Sequence, residues 1–212
     1  MSASPAGASD RKHPGLNLGR TDPKAHDEAE ELVFGFWVFL MSDLVLFALL
    51  FATYGTMLGR EAGGPGADTL YDIRSAAIET GALLLSSFTF GMASLAMKYG
   101  HHRNMLLLWL VVTLALGMTF LGFEIHDFIS MIAKGGAPSR IGFTSAFFAL
   151  VGTHGLHVTF GMIWIMVMMI QVLVFGVDLK VKLRLLRLGL FWHFLDIVWV
   201  GIFSVVYLQG LA

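Results

Sequence analysis

The sequence predicts an all-α, polytopic membrane protein in which five transmembrane helices form one bundle. Apolar runs of about 20 residues or more, enough to cross a hydrocarbon core of about 30 Å as helix, recur five times along the chain. Hydrophobic residues make up 56% of the 212 and charged residues only 14%, with a mean hydropathy of +0.73. That composition lies far from that of a water-soluble domain. The runs are also too long and too uniformly apolar for the alternating segments, about ten residues each, that a membrane barrel requires.

Residues 1–30 carry Pro5, Pro14 and Pro23 among charged residues. They lack the apolar core of a secretory signal and are expected to form a cytoplasmic, poorly ordered tail. Spans are expected at about 32–58, 75–99, 105–132, 143–175 and 185–208, so that residues 31–212 read as one membrane domain. All five prolines lie outside these spans: three in the tail, Pro65 between the first two spans, and Pro138 between the third and fourth. Helices must stop at such places. His101 and His102, between Lys98 and Arg103, read as a solvated loop or a lipid-headgroup contact, and Lys180 to Arg187 read the same way.

Ten of the fourteen basic residues fall on one side of this arrangement and only Arg60, Arg74, Lys134 and Arg140 on the other. The positive-inside rule then predicts a cytoplasmic amino terminus and, after an odd number of spans, a carboxyl terminus outside a bacterial cytoplasmic membrane. Trp37, Tyr54, Tyr71, Tyr99, Trp109, Trp192 and Tyr207 fall near span ends and are expected to act as interfacial anchors. Small residues at Gly81, Ser86, Ser87, Gly91, Ser94, Gly117, Gly152, Gly155 and Gly161 allow close helix approach. A net charge of −1 with no long basic run argues against nucleic acid as a partner. With no cysteine there is no disulfide and no thiolate-held metal or cluster, so any metal would need histidine and carboxylate.

The ionisable residues inside the spans are the candidate functional residues. Asp43 lies eleven residues past Leu32, roughly 16 Å along a helix and near the bilayer midplane. A carboxylate there costs about 2.5–3.5 kcal/mol on insertion scales, so it must be protonated or face a partner. Glu79 is expected to be interfacial and to snorkel. The i, i+3 spacing of His154 and His157 puts both on one helix face, and Glu124 on the preceding span is expected to hydrogen-bond to one of them. His193 and Asp196 repeat that spacing on the fifth span. A histidine and carboxylate metal site and an axial haem pair both remain conceivable chemistries, yet no ligand set at matched depth emerges from the spacing. Asp43, Glu124, His154, His157, His193 and Asp196 therefore read as an interior polar framework, with no catalytic, cofactor-binding or metal-binding residue assigned.

Thr153-His154-Gly155-Leu156-His157-Val158 and Phe191-Trp192-His193-Phe194-Leu195-Asp196-Ile197-Val198-Trp199 resemble subunit III of the haem-copper terminal oxidases. The resemblance extends to Leu40-Met41-Ser42-Asp43-Leu44-Val45-Leu46-Phe47 and to Phe123-Glu124, covering nearly everything from Phe34 to Leu208. It is strongest toward the quinol-oxidising, bo-type branch, on Val33-Phe34-Gly35-Phe36-Trp37 and the run from Ser145 to Thr159. The five-span length agrees with that branch, since mitochondrial-type third subunits carry two further helices.

The resemblance implies an accessory role in a proton-pumping complex that oxidises ubiquinol and reduces oxygen to water. It implies a catalytic subunit I holding the haems and copper, subunits II and IV as further partners, and structural phospholipid. The position of Asp43 is a carbodiimide-reactive glutamate in mitochondrial-type relatives; here it is aspartate, one methylene shorter. Three other readings fit the same residues: subunit III of a cytochrome c oxidase, a stand-alone transporter whose acids bind a cation, and a haem-binding membrane cytochrome.

Overall fold

A computed structural model of the protein describes residues 23–58, 73–98, 103–134 and 142–208, with side chains from residue 31 onward. Tyr71, Tyr99, His101 and His102 lie outside the described residues. The described chain forms five long helices: α1 (Pro23–Met57), α2 (Ile73–Lys98), α3 (Arg103–Ala133), α4 (Gly142–Phe175) and α5 (Leu179–Ile202). The last continues as a π-helical segment, Phe203–Leu208. Each is long and apolar enough to cross a membrane.

The connection from α4 to α5 is short because Gly176 takes φ +75, a left-handed conformation that only glycine adopts cheaply. Its N–H donates to the Val172 carbonyl at 3.1 Å and closes α4. α5 therefore starts at Leu179, earlier than expected, and Lys180, Lys182, Arg184 and Arg187 stand on its first turns instead of in a loop. The reason is packing. Val181, Leu185 and Leu188 recur at i, i+4 and i+7 and are buried, which continues the helix beneath its charged face. Arg184 donates to Gln171 at 2.8 Å, and Arg103 donates to the Leu173 carbonyl at 3.3 Å.

α5 is the most deeply packed helix. α2 and α3 form the most intimate pair, α4 lies against α1, α3 and α5, and α1 lies mainly against α4 and α5. Where lipid supplies no hydrophobic drive between helices, close fit and buried hydroxyls hold them together. Thr89 and Thr113 share a 2.8 Å hydrogen bond across the α2–α3 seam. The Trp192 indole of α5 donates to Ser86 of α2 at 3.0 Å. Its ring lies between Gly117 of α3 and Gly161 of α4, where a Cβ at either position would stand 3.1 Å from a ring carbon. Trp192 is thus a central wedge and not an interfacial anchor. Tyr54 and Tyr207 are likewise buried, whereas Trp37 is exposed as an anchor would be. Of the small residues, Gly117, Gly155 and Gly161 are close-packed, but Gly81 and Gly91 face open space.

Candidate functional site

The ionisable residues inside the bundle do not converge on one centre. They form three polar clusters and one caged histidine, each placed by a different helix pair.

The first cluster joins α1 to α4. His157 Nδ1 lies 2.7 Å from the Thr153 carbonyl, and because a carbonyl can only accept, Nδ1 carries hydrogen. The opposite nitrogen, Nε2, lies 3.2 Å from Asp43 Oδ2. The contact is close, though its angle falls short of an aligned hydrogen bond. Asp43 thus faces a partner, as the cost of a lone charge in hydrocarbon demands.

His154, one turn earlier and fully buried, donates from Nε2 to the Leu195 carbonyl at 3.1 Å. Phe47, Phe120 and Trp199 surround its ring at centroid distances of 6.4, 5.7 and 5.1 Å. It fastens α4 to α5 and has no carboxylate beside it within hydrogen-bonding distance. The expected bond from Glu124 to His154 or His157 does not form: neither Glu124 oxygen has a hydrogen-bond partner, and His154 Nδ1 is likewise buried without one. The Glu124 carboxyl instead lies flat against the α4 backbone at Gly155, where a Cβ would come within 2.6 Å of Oε1.

Sequence reasoning missed what Glu124 does meet. At the end of the bundle formed by the start of α2, the end of α3 and the π-helical segment, Glu79, Glu124 and Asp127 approach within electrostatic reach of one another and of the Tyr207 hydroxyl. Ser75 donates to Asp127 at 3.0 Å. Glu79 is 1% exposed, so it does not snorkel. The tight α2–α3 pairing turns it inward, and a side chain on the inner face of a close helix pair has no route to the interface. The signal available in sequence was the i, i+3 pair Glu124 and Asp127, which puts both acids on one helix face.

We expect Gly155→Ala to lower the stability of the bundle by about 1–2 kcal/mol by displacing that carboxyl. Glu124→Ala in the same chain should remove most of the loss. A thermal double-mutant cycle with no coupling between the two positions would show that the contact carries no energy.

The third cluster joins α2 to α5. Ser87 is hydrogen-bonded both to His193 Nδ1 and to the Asp196 carboxyl, so one hydroxyl bridges the i, i+3 pair. Asp196 is buried and its Oδ1 has no partner, whereas His193 is exposed on its outer edge. Of the six residues expected to make the framework, all lie in membrane-spanning helices, but the structure brings together only Asp43 with His157 and His193 with Asp196. No group of three or more His, Asp or Glu side chains among the described residues is arranged to hold a metal ion. One ring nitrogen of each of His154 and His157 bonds a backbone carbonyl, while His154 Nδ1 is buried without a partner and His157 Nε2 faces Asp43.

Comparison with known proteins bears on what such a framework serves. A family model described as cytochrome c oxidase subunit III matches residues 23–211. Subunit 3 of the cytochrome bo(3) ubiquinol oxidase of Pseudomonas putida is 50% identical over 185 residues, 87% of this chain and 89% of its own. Subunit 3 of the quinol oxidase of Bacillus subtilis is 42% identical over 180 residues, 85% of this chain and 88% of its own. Subunit 3 of a cytochrome c oxidase from Bacillus sp. is also 42% identical, over 185 residues, with 87% and 89% covered.

Proposed function

The chain belongs to the cytochrome c oxidase subunit III family, and from that premise we propose that it is the non-catalytic third subunit of a quinol-oxidising haem-copper terminal oxidase. The observation that carries this reading is the likeness to quinol oxidase third subunits over nearly the whole membrane domain. The internal chemistry supports it in part, since Trp192 with Ser86, His154 with the Leu195 carbonyl, and His193 with Ser87 each tie one helix to another. On this reading haems and copper belong to the catalytic neighbour, subunit I, with subunits II and IV completing the complex. The amino terminus lies in the cytoplasm, on the side of the ten basic residues.

The bundle's contribution is to keep the catalytic subunit assembled, its boundary lipid ordered and its proton uptake sustained. Asp43 and Asp196 then act first as structural acids. Asp43→Asn is expected to leave the initial oxidase rate near the wild-type value while shortening the number of turnovers before activity decays; unchanged decay and assembly in both Asp43→Asn and Asp196→Asn would remove any functional role for these acids.

Purification through a tag on this chain tests the assignment. A red complex with haem absorbance, larger subunits and ubiquinol-dependent oxygen uptake is expected. A colourless monomer or homodimer would refute it and favour transport. A second reading, a cytochrome c oxidase, is favoured by one relative's name. Oxygen uptake driven by reduced cytochrome c and not by quinol would establish it instead.

A further inference from the structure

Glu79 and Glu124 are the most deeply buried acids among the described residues, at 1% and 3% exposed, and none of their four carboxyl oxygens has a hydrogen-bond partner there. A polar group taken out of water costs free energy that a hydrogen bond to a neighbouring helix would offset. These two acids make no such bond, so they are not helix ties. Buried polar atoms in that condition point to bound water, an ion or a proton.

The elements packed around them present polar groups of their own. Asp127 stands one turn beyond Glu124 on α3, and the Tyr207 hydroxyl of the π-helical segment is within electrostatic reach of all three acids and of Tyr54 on α1. On α4, the backbone at Gly155 touches the Glu124 carboxyl, and the neighbouring His154 packs on Phe120 with its Nδ1 buried and unpartnered. From α5 the Trp199 indole donates at 3.0 Å to Thr80, beside Glu79. Arg74, next to Ser75 on α2, is exposed. Asp127 is the charge that acts on Glu79, and Glu79 the charge that acts on Glu124. Like therefore faces like.

Asp127 joins this interior to the surface. Its Oδ1 accepts from Ser75 at 3.0 Å and lies 3.5 Å from His126 Nδ1, while Oδ2 is buried without a partner. The His126 side chain is 79% exposed. α3 has 31 residues, so it is about 46 Å long and extends about 8 Å beyond each face of a centred hydrocarbon core of about 30 Å. His126, seven residues before Ala133, then stands close to the core boundary, within reach of headgroup water.

Three carboxylates in one low-dielectric interior repel one another, and a proton held among them relieves that repulsion. A divalent cation does not fit, because no three His, Asp or Glu side chains among the described residues are arranged around a metal ion. We infer that Glu79, Glu124 and Asp127, with the Tyr207 hydroxyl, form a proton-binding site hydrated by internal water, which exchanges protons through His126 with the aqueous phase at the end of the bundle opposite Lys180 and Arg184. An internal water bonds roughly two to four polar atoms, and the orphaned glutamate oxygens with Asp127 Oδ2 supply them. The proton passes from His126 Nδ1 to the Asp127 carboxylate, then from Asp127 through water to a carboxylate of Glu79 or Glu124.

Infrared difference spectra between alkaline and acidic buffer, taken on the assembly purified through this chain, test the site. A carboxylic acid carbonyl band that shifts in D2O is expected, and Glu79→Gln and Glu124→Gln should each remove intensity from it. Where either variant fails to assemble, Glu79→Asp and Glu124→Asp keep the carboxyl and should move the band instead. His126→Phe should keep the band but slow its hydrogen-deuterium exchange about a hundredfold, the low end of what a positioned proton-transfer group contributes, and His126→Glu should restore the rate. A band that no substitution at either glutamate alters would show that no proton resides there and overturn the site. A band that follows sodium at constant pH and not pH itself would overturn it in favour of a monovalent cation. Exchange at the wild-type rate in His126→Phe would overturn the gateway. The inference rests on the geometry of the bundle and not on the oxidase reading: a colourless assembly that gives these bands would refute that reading and keep the site.

Discussion

Trp192→Ala is expected to be the most damaging single substitution in the bundle, lowering stability by about 3–5 kcal/mol. The indole fills the notch where α5 meets α3 and α4, against Gly117 and Gly161, and its N–H is the hydrogen bond that reaches Ser86 on α2. Truncation removes van der Waals contact with all three neighbouring helices at once, and lipid cannot enter to replace it. It also leaves Ser86, fully buried, without its donor. The complementary test is Gly161→Val, which puts methyl groups where the ring already stands and should cost about 2–3 kcal/mol by overpacking. Combining Gly161→Val with Trp192→Ala should cost less than the two single losses added together. Thermal release of the subunit from the complex, followed by gel and haem absorbance, gives the measurement. Strict additivity would show that the wedge and its notch are not energetically coupled.

Breaking the Asp43–His157 contact should have the next largest effect. His157→Ala is expected to lower stability by about 3 kcal/mol, the low end for a buried acid–base pair that loses one partner. The low end applies because the imidazole is 25% exposed and the carboxyl 12%. Asp43→Leu in the same chain should recover most of the loss, because an apolar pair of similar volume carries no desolvation penalty. If His157→Ala and the double variant melt together, the contact is incidental to stability. If the double variant is stable but its complex loses activity faster during turnover, the pair serves proton handling beyond packing. The two roles are thereby separable in one variant series.

Some of this was legible from residue order alone and some was not, and particular residues show why. Asp43 at mid-span had to face a partner, and it does, because burying an acid in hydrocarbon is costly whatever the fold around it. The His193 and Asp196 spacing put both on one helix face, and the structure keeps them together through Ser87. Glu79, by contrast, was expected to reach for the interface. Whether a terminal carboxylate can snorkel depends on whether its helix face meets lipid or another helix, and periodicity on a helix apolar all round does not reveal that. The Glu124 contact failed for a related reason: matching depth on adjacent helices does not fix the rotation of each helix about its axis. Tyr54, Trp192 and Tyr207 lay near expected span ends, yet α5 starts earlier than expected, which takes Trp192 to mid-helix, and the bundle packs tightly enough to enclose all three.

The sequence by itself determined that the chain crosses a membrane as five helices, which positions carry ionisable groups at depth, and which family it resembles. Those follow from length, hydropathy and motif, which are local properties of the chain. Only the tertiary structure decided which groups meet: Asp43 with His157, Glu79 with Glu124 and Asp127, Trp192 with its two glycines, and His193 with Ser87 of α2. In lipid every helix face is nearly equally apolar, so hydrophobicity cannot specify rotation and pairing. Shape fit and buried polar contacts do, and those exist only once the helices have come together.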